Sequence, residues 1–237
     1  MIRVATYNIH AGVGVDCRRD LDRIAAVIAE TGADVIGLQE VESRPSRCTT
    51  DQAMTLAAEL NMACVEGPML LEGAGWYGNA ILSRLPVLAE QRWRFPDHSG
   101  EPRGAVGVVV EDPQGGRWRV INTHLDLRKR SRLRQVHALM RLFESERAGP
   151  SILMGDLNEW RPWAPALAPL RRLGYVPPAP ASFPSRLPMF ALDRMVLHAC
   201  RLLTPLQRHA TRLSLRASDH LPVVGDVGAV ARPNVAD

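Results

Sequence analysis

The chain is nearly devoid of lysine: Lys129 is the single lysine among its 29 basic side chains. The formal net charge is +4, and the excess lies in one short stretch, residues 128–134, which we call the basic segment. Its five cations and lack of acids leave a net charge of −1 for the rest of the chain. A basic surface over the whole molecule, of the kind that tracks a polyanion, is therefore not indicated.

Cysteine and long apolar runs are also scarce. The four cysteines form no Cys-x-x-Cys pair and show no zinc spacing, so we expect free thiols. No run of about 18 apolar residues could span a membrane, and no apolar segment typical of a signal peptide follows Met1. We expect a cytoplasmic protein with no stable membrane insertion, and no pattern indicates an obligate protein partner.

Apolar residues make up 46% of the 237 residues and charged residues 23%, which is the balance of one compact domain over residues 1–237. Short β-branched runs alternate with segments of helical periodicity, and this alternation predicts an α/β (α+β) sandwich. Helices are predicted over 20–30, 51–60, 131–146 and 164–173, and strands over 2–9, 33–39, 79–83, 87–94, 105–111, 117–123, 151–155, 192–197 and 221–227. In the third helix, Leu133, Val136, Leu139, Met140 and Phe143 are expected to face inward.

Polar side chains stand at the ends of nearly every predicted strand. Taken alone, each one is typical of a turn or a helix cap. Together they put carboxylates and imidazoles at one edge of the sheets, where α/β and sandwich folds build their sites. Because burying carboxylates without a positive partner is costly, a cation is expected among them. The residues are Asn8, Glu40, Asn122, His124, Asp156, Asn158, Asp193, Asp219 and His220.

The spelling and order of these strand ends resemble one known family. The strings are Thr6-Tyr7-Asn8-Ile9-His10, Leu38-Gln39-Glu40-Val41, Tyr77-Gly78-Asn79-Ala80-Ile81-Leu82-Ser83, Asn122-Thr123-His124-Leu125, Gly155-Asp156-Leu157-Asn158, Leu192-Asp193-Arg194 and Ser218-Asp219-His220-Leu221-Pro222. This series is similar to that of the endonuclease/exonuclease/phosphatase superfamily, the deoxyribonuclease-I-like fold. The resemblance implies a four-layer sandwich, two mixed β-sheets face to face with helices on the outer faces, and a divalent-metal phosphoesterase site at one rim.

The resemblance also implies a set of metal ligands. Glu40 is the best candidate, since a hard carboxylate suits Mg²⁺, with Mn²⁺ as the alternative ion. Asn8 would add a neutral oxygen or hold a water on the ion, and Asp219 resembles a further acid on the metal side. Many nucleases of the superfamily carry an acid where this chain has His10. One metal is therefore favoured over two, and His10 is expected to contact substrate instead.

The same resemblance assigns the catalytic groups. Asp156 would orient or deprotonate the attacking water, with His220 as the second candidate for the base or as a transition-state-stabilising imidazolium. Asp193 would pair with His220 and raise its pKa. Asn158 and His124 would donate to phosphoryl oxygens.

Several further residues have two interpretations. Arg103 is expected either to bind phosphate or to form a solvated pair with Glu101. Asn79 is expected either to contact the substrate or to hydrogen-bond backbone groups at the start of a strand. The basic segment is either a rim that attracts an anion or, as we favour, a solvated helix start. Trp76, Trp160, Trp163 and Phe183 could line an apolar wall, although core packing is the commoner place for tryptophan. Residues 176–188 contain five prolines and are predicted to be an extended loop.

Three functions follow from these observations. The first is an Mg²⁺-dependent phosphodiesterase acting on a small or lipid-like phosphodiester, because the chain is short and has no extra basic arm. The second is an endo- or exonuclease on DNA or RNA, with the basic segment contacting phosphates. The third, disfavoured because all the chemical groups are present, is a catalytically silent binding module.

Overall fold

A computed structural model describes residues 1–95, 100–144, 149–161 and 166–230. The strands are β1 (Ile2–Asn8), β2 (Val35–Glu42), β3 (Ala63–Glu72), β4 (Gly75–Ser83), β5 (Val87–Arg94), β6 (Gly104–Glu111), β7 (Arg117–His124), β8 (Ser151–Asp156), β9 (Asp193–His198), β10 (Cys200–Leu202), β11 (Gln207–Arg208) and β12 (Val223–Ala229). The α-helices are α1 (Leu21–Thr31), α2 (Gln52–Leu60), α3 (Lys129–Glu144) and α4 (Ser214–Ala217), and 3-10 turns span His10–Gly12 and Ala168–Arg172.

The strands form two mixed sheets, as the family resemblance implies. The first sheet has the order β10-β12-β1-β2-β4-β3, with β11 also paired to β12, and the second has the order β5-β6-β7-β8-β9. In each sheet one central pair is parallel, β1 with β2 and β7 with β8. The carboxyl ends of these four strands therefore lie at the same edge of the sandwich.

Three apolar clusters hold the layers together. The central cluster lies between the sheets and includes Val4, Ile81 and Val120, all fully buried. A second cluster packs α1 and α2 on the outer face of the first sheet. A third packs α3 on the outer face of the second sheet through Val136 and Phe143. The result is the predicted four-layer sandwich. None of the helices in the described part of the chain is long and apolar enough to cross a membrane.

The helix boundaries follow local capping signals. The Asp20 side chain accepts a hydrogen bond from the backbone of Arg23 at the start of α1, and Gly32 ends that helix in the left-handed conformation. Asp51 caps α2 through the backbone of Met54. These caps explain why the predicted boundaries of both helices agree with the structure to within one or two residues.

Three predictions about elements are wrong. No strand is predicted over 63–72, whereas the structure has β3 there and accommodates Pro68, which cannot donate a ladder hydrogen bond, at a register shift. Leu133 is 37% exposed rather than inward-facing, because the buried polar residues Arg132 and Gln135 occupy the inner face of the first turns of α3. For the helix predicted over 164–173, the structure has only the 3-10 turn Ala168–Arg172; residues 164–165, like 145–146 of the third helix, lie outside the described residues.

A buried polar contact joins the two sheets just beneath the rim. Asn122 on β7 donates hydrogen bonds to the backbone oxygens of Leu38 (2.8 Å) and Ala80 (2.9 Å) in the other sheet. Gln39 donates to the side-chain oxygen of Asn122 at 2.6 Å. Gly37 permits this approach, because a Cβ there would lie 2.7 Å from Cγ of Asn122. The contact sets the spacing of the two sheets where the candidate site begins.

Candidate active site

The registers of the strands place the predicted polar residues side by side. His124, Asp156 and Asp193 are direct neighbours across β7, β8 and β9. In the other sheet, Asn8 ends β1 and pairs with Gln39 on β2. Glu40 is the next residue along β2. Residues that are remote in sequence therefore meet at one rim of the sandwich.

The backbone at this rim adopts unusual conformations that aim the side chains. Glu40 has a φ of 58° and lies at a register shift in β2, so that a bulge turns its carboxylate toward the rim. Gly155 has a φ of 148°, and a Cβ there would lie 1.8 Å from the carbonyl oxygen of Thr123. Asn158 has a φ of 50°. Such sparsely populated conformations cluster at functional sites.

Asp156 lies at the centre of the site and is buried. Its Oδ1 accepts a hydrogen bond from the backbone of Asn158 at 2.9 Å, and its Oδ2 accepts one from the Asn8 amide at 3.2 Å. Oδ2 also lies 3.6 Å from Nε2 of His124 and 3.7 Å from Nε2 of His220. Burial raises the pKa of Asp156 to about 6. The His220 cation acts to lower this pKa, and the Asp193 carboxylate acts to raise it further. The carboxylate is therefore largely ionised at neutral pH.

Asp193 and His220 form a buried pair behind Asp156. The Oδ2 atom of Asp193 lies 2.9 Å from Nδ1 of His220 and also accepts a hydrogen bond from the Ser182 hydroxyl at 2.5 Å. Burial lowers the pKa of His220, but the Asp193 carboxylate, helped by Asp156, outweighs burial and raises that pKa to about 10. His220 is thus an imidazolium at neutral pH, and its ring lies 4.8 Å from that of Phe183.

Sequence reasoning did not identify Ser182. It is fully buried and belongs to the proline-rich stretch 176–188, where no local pattern singles out one serine. Its backbone accepts a hydrogen bond from Leu221 and donates one to Phe190, at 2.9 Å in each case. The predicted loop therefore packs over the site and holds a hydroxyl against Asp193.

His124 is held by Arg103 on the other side of Asp156. Nη1 of Arg103 lies 3.1 Å from Nδ1 of His124 and also pairs with Glu101. Because a guanidinium can only donate, Nδ1 accepts from Arg103; Nε2 lies 3.0 Å from the Asn158 amide nitrogen and 3.6 Å from Oδ2 of Asp156. Burial lowers the pKa of His124 well below its ordinary value, and the Arg103 cation adds to the effect. Arg103 is therefore not merely a solvated partner of Glu101, since it also orients this imidazole.

The groups expected to hold a metal lie beside Asp156. The Asn8 amide bridges two carboxylates, donating to Glu40 at 2.9 Å and to Asp156. Within the described residues, no other group donates a hydrogen bond to Glu40, which is partly exposed. The Asn8 side-chain oxygen accepts a hydrogen bond from the backbone of His10 at 3.0 Å. In this arrangement Asn8 acts as a donor between two acids rather than presenting a vacant oxygen.

The charge around Glu40 favours a cation. Burial raises the pKa of Glu101. The Arg103 cation acts to lower this pKa, and the negative charge of Glu40 acts to raise it. Asp219 is partly exposed, and its Oδ1 lies 3.8 Å from Nδ1 of His10. A tighter group of potential ligand atoms, all within 4.8 Å of one another, consists of Asp156, Asp193 and His220. In that group the His220 imidazolium has no lone pair for a metal, and it and the Ser182 hydroxyl both contact Oδ2 of Asp193, so Glu40 remains the carboxylate best suited to a hard ion.

The remaining predicted residues divide between core and rim. Asn79 is buried inside β4, not at a strand start, and donates to the Gly104 carbonyl at 3.4 Å. Trp76 is a core residue, whereas Trp160 is exposed; Trp163 lies outside the described residues. Within the basic segment, Arg132 is buried and forms a 2.9 Å salt bridge with Glu159, so the prediction of a fully solvated helix start is wrong at that position.

Comparisons with known proteins agree with this geometry. A model of the Endonuclease/Exonuclease/phosphatase family matches residues 5–220. The chain is 28% identical over 247 residues to the uncharacterized protein YbhP of Escherichia coli K12, with 95% of each chain covered.

Two solved structures share the fold. An endonuclease/exonuclease/phosphatase from Beutenbergia cavernae is 25% identical, with a TM-score of 0.76 and coverage of 96% of this chain and 71% of that one. A mannosyl-6-phosphatase from Bacteroides thetaiotaomicron is 17% identical, with a TM-score of 0.75 and coverage of 96% and 100%. Members of this family are hydrolases that act on phosphoesters. Because the family match extends over most of the chain and the two sheets have the expected arrangement, the chain belongs to the endonuclease/exonuclease/phosphatase family.

Proposed function

We propose that this protein is a divalent-metal-dependent phosphodiesterase that hydrolyses a small or lipid-like phosphodiester by in-line attack of water. The observation that carries the proposal is the position of the Asp156 carboxylate, with the Asn8 amide on one side and the Nε2 atoms of His124 and His220 on the other. This arrangement supplies a proton acceptor, Asp156, beside an amide and two imidazoles, which are groups able to hydrogen-bond a phosphoryl group.

The residues that would hold the ion are Glu40 and Asp219; Asn8, whose oxygen accepts from the backbone of His10, would orient Glu40 or hydrogen-bond a water on the ion. The fit rests on donor chemistry: the ligand atoms are hard carboxylate oxygens, and Glu40 accepts a hydrogen bond only from Asn8 within the described residues. When bound, Mg²⁺ or Mn²⁺ would neutralise the charge that develops on the phosphoryl group and leaving oxygen.

The side chains themselves divide the proton transfers. Asp156, with a pKa of about 6, is the group able to accept a proton from water at neutral pH. His220, with a pKa of about 10, carries a proton and would donate a hydrogen bond to a phosphoryl oxygen. These pKa directions favour Asp156 as the base and His220 as the stabilising cation, where the sequence left the two roles open.

The other groups orient the phosphate. The Arg103 guanidinium donates to Nδ1 of His124, and the Asn158 amide nitrogen lies 3.0 Å from Nε2, so these two residues hold the ring beside Asp156. Arg103 is thus a positioning residue for His124. Direct phosphate binding by Arg103, Asn79 and His10 remains a prediction.

A nuclease is the second candidate function. The exposed arginines of the basic segment support it, since cations next to the rim could contact the phosphates on either side of the reacting one. Aliphatic side chains at the same rim favour a lipid-like substrate over a polynucleotide.

A substrate panel with matched variants tests the proposal. Purified protein with Mg²⁺ or Mn²⁺ is offered bis(p-nitrophenyl) phosphate, p-nitrophenyl phosphate, phospholipids, sugar phosphates, plasmid DNA and RNA, with EDTA as control. We expect EDTA-sensitive hydrolysis of phosphodiesters, reduced by at least ~10²-fold in Asp156→Asn. DNA turnover equal to that of the best substrate would move the assignment to the nuclease. If the folded protein turns over no phosphoester, the phosphodiesterase is ruled out and the catalytically silent binding module becomes the assignment.

A further inference from the structure

Exposed apolar side chains surround the candidate site on three segments. The segments, which together we call the rim surface, are residues 126–134 after β7, 159–161 after β8 and 183–190 before β9. Their large exposed apolar side chains are Leu127 (65% exposed), Leu133 (37%), Trp160 (52%), Leu187 (67%) and Met189 (61%). A singly exposed apolar side chain is common, whereas several on one connected surface are typical of a binding surface.

The three segments are joined by direct contacts. The buried Arg132 guanidinium donates to the Leu127 carbonyl at 2.8 Å and to the Glu159 carboxylate at 2.9 Å, which links the first two segments. The rings of Trp160 and Phe190 lie 5.0 Å apart and link the second segment to the third. Within the third, the backbone of Met189 donates to the carbonyl of Phe183 at 2.9 Å. The exposed apolar groups therefore stand on one connected surface.

The exposed charges of the rim surface are all positive. Its two acids, Asp126 and Glu159, are buried, and the second is paired with Arg132. Within these three described segments no other acid occurs. The exposed cations are Arg128, Lys129, Arg130, Arg134, Arg161 and Arg186. Apolar groups interleaved with cations complement the surface of an anionic bilayer, where hydrocarbon and negative headgroups lie within a few ångströms of each other.

We propose that the rim surface docks the protein on the interface of an anionic lipid membrane, with the candidate site facing the headgroups. Docking itself depends only on the rim surface, whereas hydrolysis of a lipid phosphodiester there rests on the proposed function. A lipid surface is favoured over a nucleic acid because Leu127, Leu187 and Met189 are aliphatic. Single-stranded nucleic acids are bound by stacking on aromatic rings, and among the exposed large apolar side chains of this surface only Trp160 is aromatic, with its ring packed against Phe190. Aliphatic side chains instead insert between lipid headgroups.

Vesicle sedimentation tests the docking directly. The full chain, in EDTA and at low salt, is mixed with vesicles of phosphatidylcholine alone or with phosphatidylglycerol added. We expect sedimentation with the anionic vesicles, weakened by salt, and little with the neutral ones. The variant Leu187→Ser/Met189→Ser should bind anionic vesicles at least ~10-fold more weakly, because it removes apolar surface and leaves every cation in place.

The control variant is Leu88→Ser/Leu203→Ser. These two leucines are 46% and 44% exposed and lie at the opposite end of the sheets, near Val110 and Asp226. We expect this variant to bind anionic vesicles like the unaltered protein. Both double variants should keep the circular dichroism spectrum and the urea unfolding midpoint of the unaltered protein, which shows that each remains folded, and should match its rate on soluble bis(p-nitrophenyl) phosphate.

The outcomes separate the docking from the proposed function. No binding to anionic vesicles at low salt, or equal losses in both double variants, would overturn the docking. Binding to a single-stranded oligonucleotide but not to vesicles would assign the rim surface to nucleic acid and overturn it as well. Vesicle binding that depends on Leu187 and Met189, without turnover of any phosphoester, would support docking and count against the phosphodiesterase.

Discussion

Ser182 and His220 meet at one oxygen atom: Oδ2 of Asp193 accepts the Ser182 hydroxyl at 2.5 Å and lies 2.9 Å from Nδ1 of His220. All three side chains are buried. The other carboxylate oxygen, Oδ1, has no hydrogen-bond partner among the described residues. The orientation of Asp193, and through it that of the imidazolium, therefore depends on a hydroxyl from the proline-rich loop.

Ser182→Ala should lower kcat while leaving KM nearly unchanged. The substitution removes a hydrogen bond to a buried carboxylate, a contact worth about 1.5–3 kcal/mol, so we expect a loss of ~10-fold or more. Steady-state kinetics on a soluble phosphodiester would measure it. The control is Ser83→Ala, which removes an equally buried hydroxyl bound to the Leu85 carbonyl far from the site. Equal kcat in the two variants would show that Ser182 has no positioning role.

The protonated state of His220 should make stability fall with rising pH. Its pKa is about 10 in the folded protein and near 6.5 in the unfolded chain, so the folded state binds more protons between those pH values. The stabilisation is complete below pH 6.5 and is lost as the pH rises toward 10. The free energy of unfolding, measured with urea in EDTA, should fall between pH 7 and pH 9 by about 2 kcal/mol more in the unaltered protein than in Asp193→Asn. The same decline in both proteins would contradict the assignment to this pair.

Glu40→Gln should weaken metal activation selectively. Replacing the carboxylate by a neutral amide removes the charge that a hard cation needs, so the Mg²⁺ concentration for half-maximal activity should rise at least ~10-fold. Glu111→Gln is the matched control, since Glu111 is partly exposed and lies at the far end of β6, paired with Arg117. An unchanged Mg²⁺ titration in Glu40→Gln would remove this residue from the ligand set.

Asn122→Ala should destabilise the fold strongly. It would remove the side-chain donor from the carbonyls of Leu38 and Ala80, at about 1–3 kcal/mol for each, so we expect a total loss of ~3 kcal/mol or more. The Gln39 amide would lose one acceptor but keep Thr6 and the Gly37 carbonyl. Urea unfolding measures the free energy.

Gly37→Ala tests the same inter-sheet contact, because the added Cβ on β2 would collide with the Asn122 side chain. Overpacking there should reduce stability by about 1–3 kcal/mol. Gly100→Ala is the control, because a Cβ at Gly100 meets no atom within 4 Å. Unfolding free energies of Asn122→Ala and Gly37→Ala that match that of Gly100→Ala would rule out a structural role for the inter-sheet contact.

The sequence by itself determined the succession of elements and the polar residue at each strand end. Those features are local: a β-branched run, a capping Asp20 or Asp51, and the polar residue that follows the run. The motif order also predicted that Asp193 pairs with His220, and the structure places them in contact. β3 escaped prediction because its internal proline is tolerated only where the partner strand shifts register.

Only the tertiary structure decided which loops cover the rim. The Ser182 hydroxyl, the hold of Arg103 on His124 and the burial of Arg132 against Glu159 join residues from separate segments, and no periodicity records such partners. The same holds for the exposure of Leu187 and Met189. Sequence patterns report which face of an element is apolar, whereas the partner of a buried charge, and the apolar groups left in water, depend on how distant segments pack.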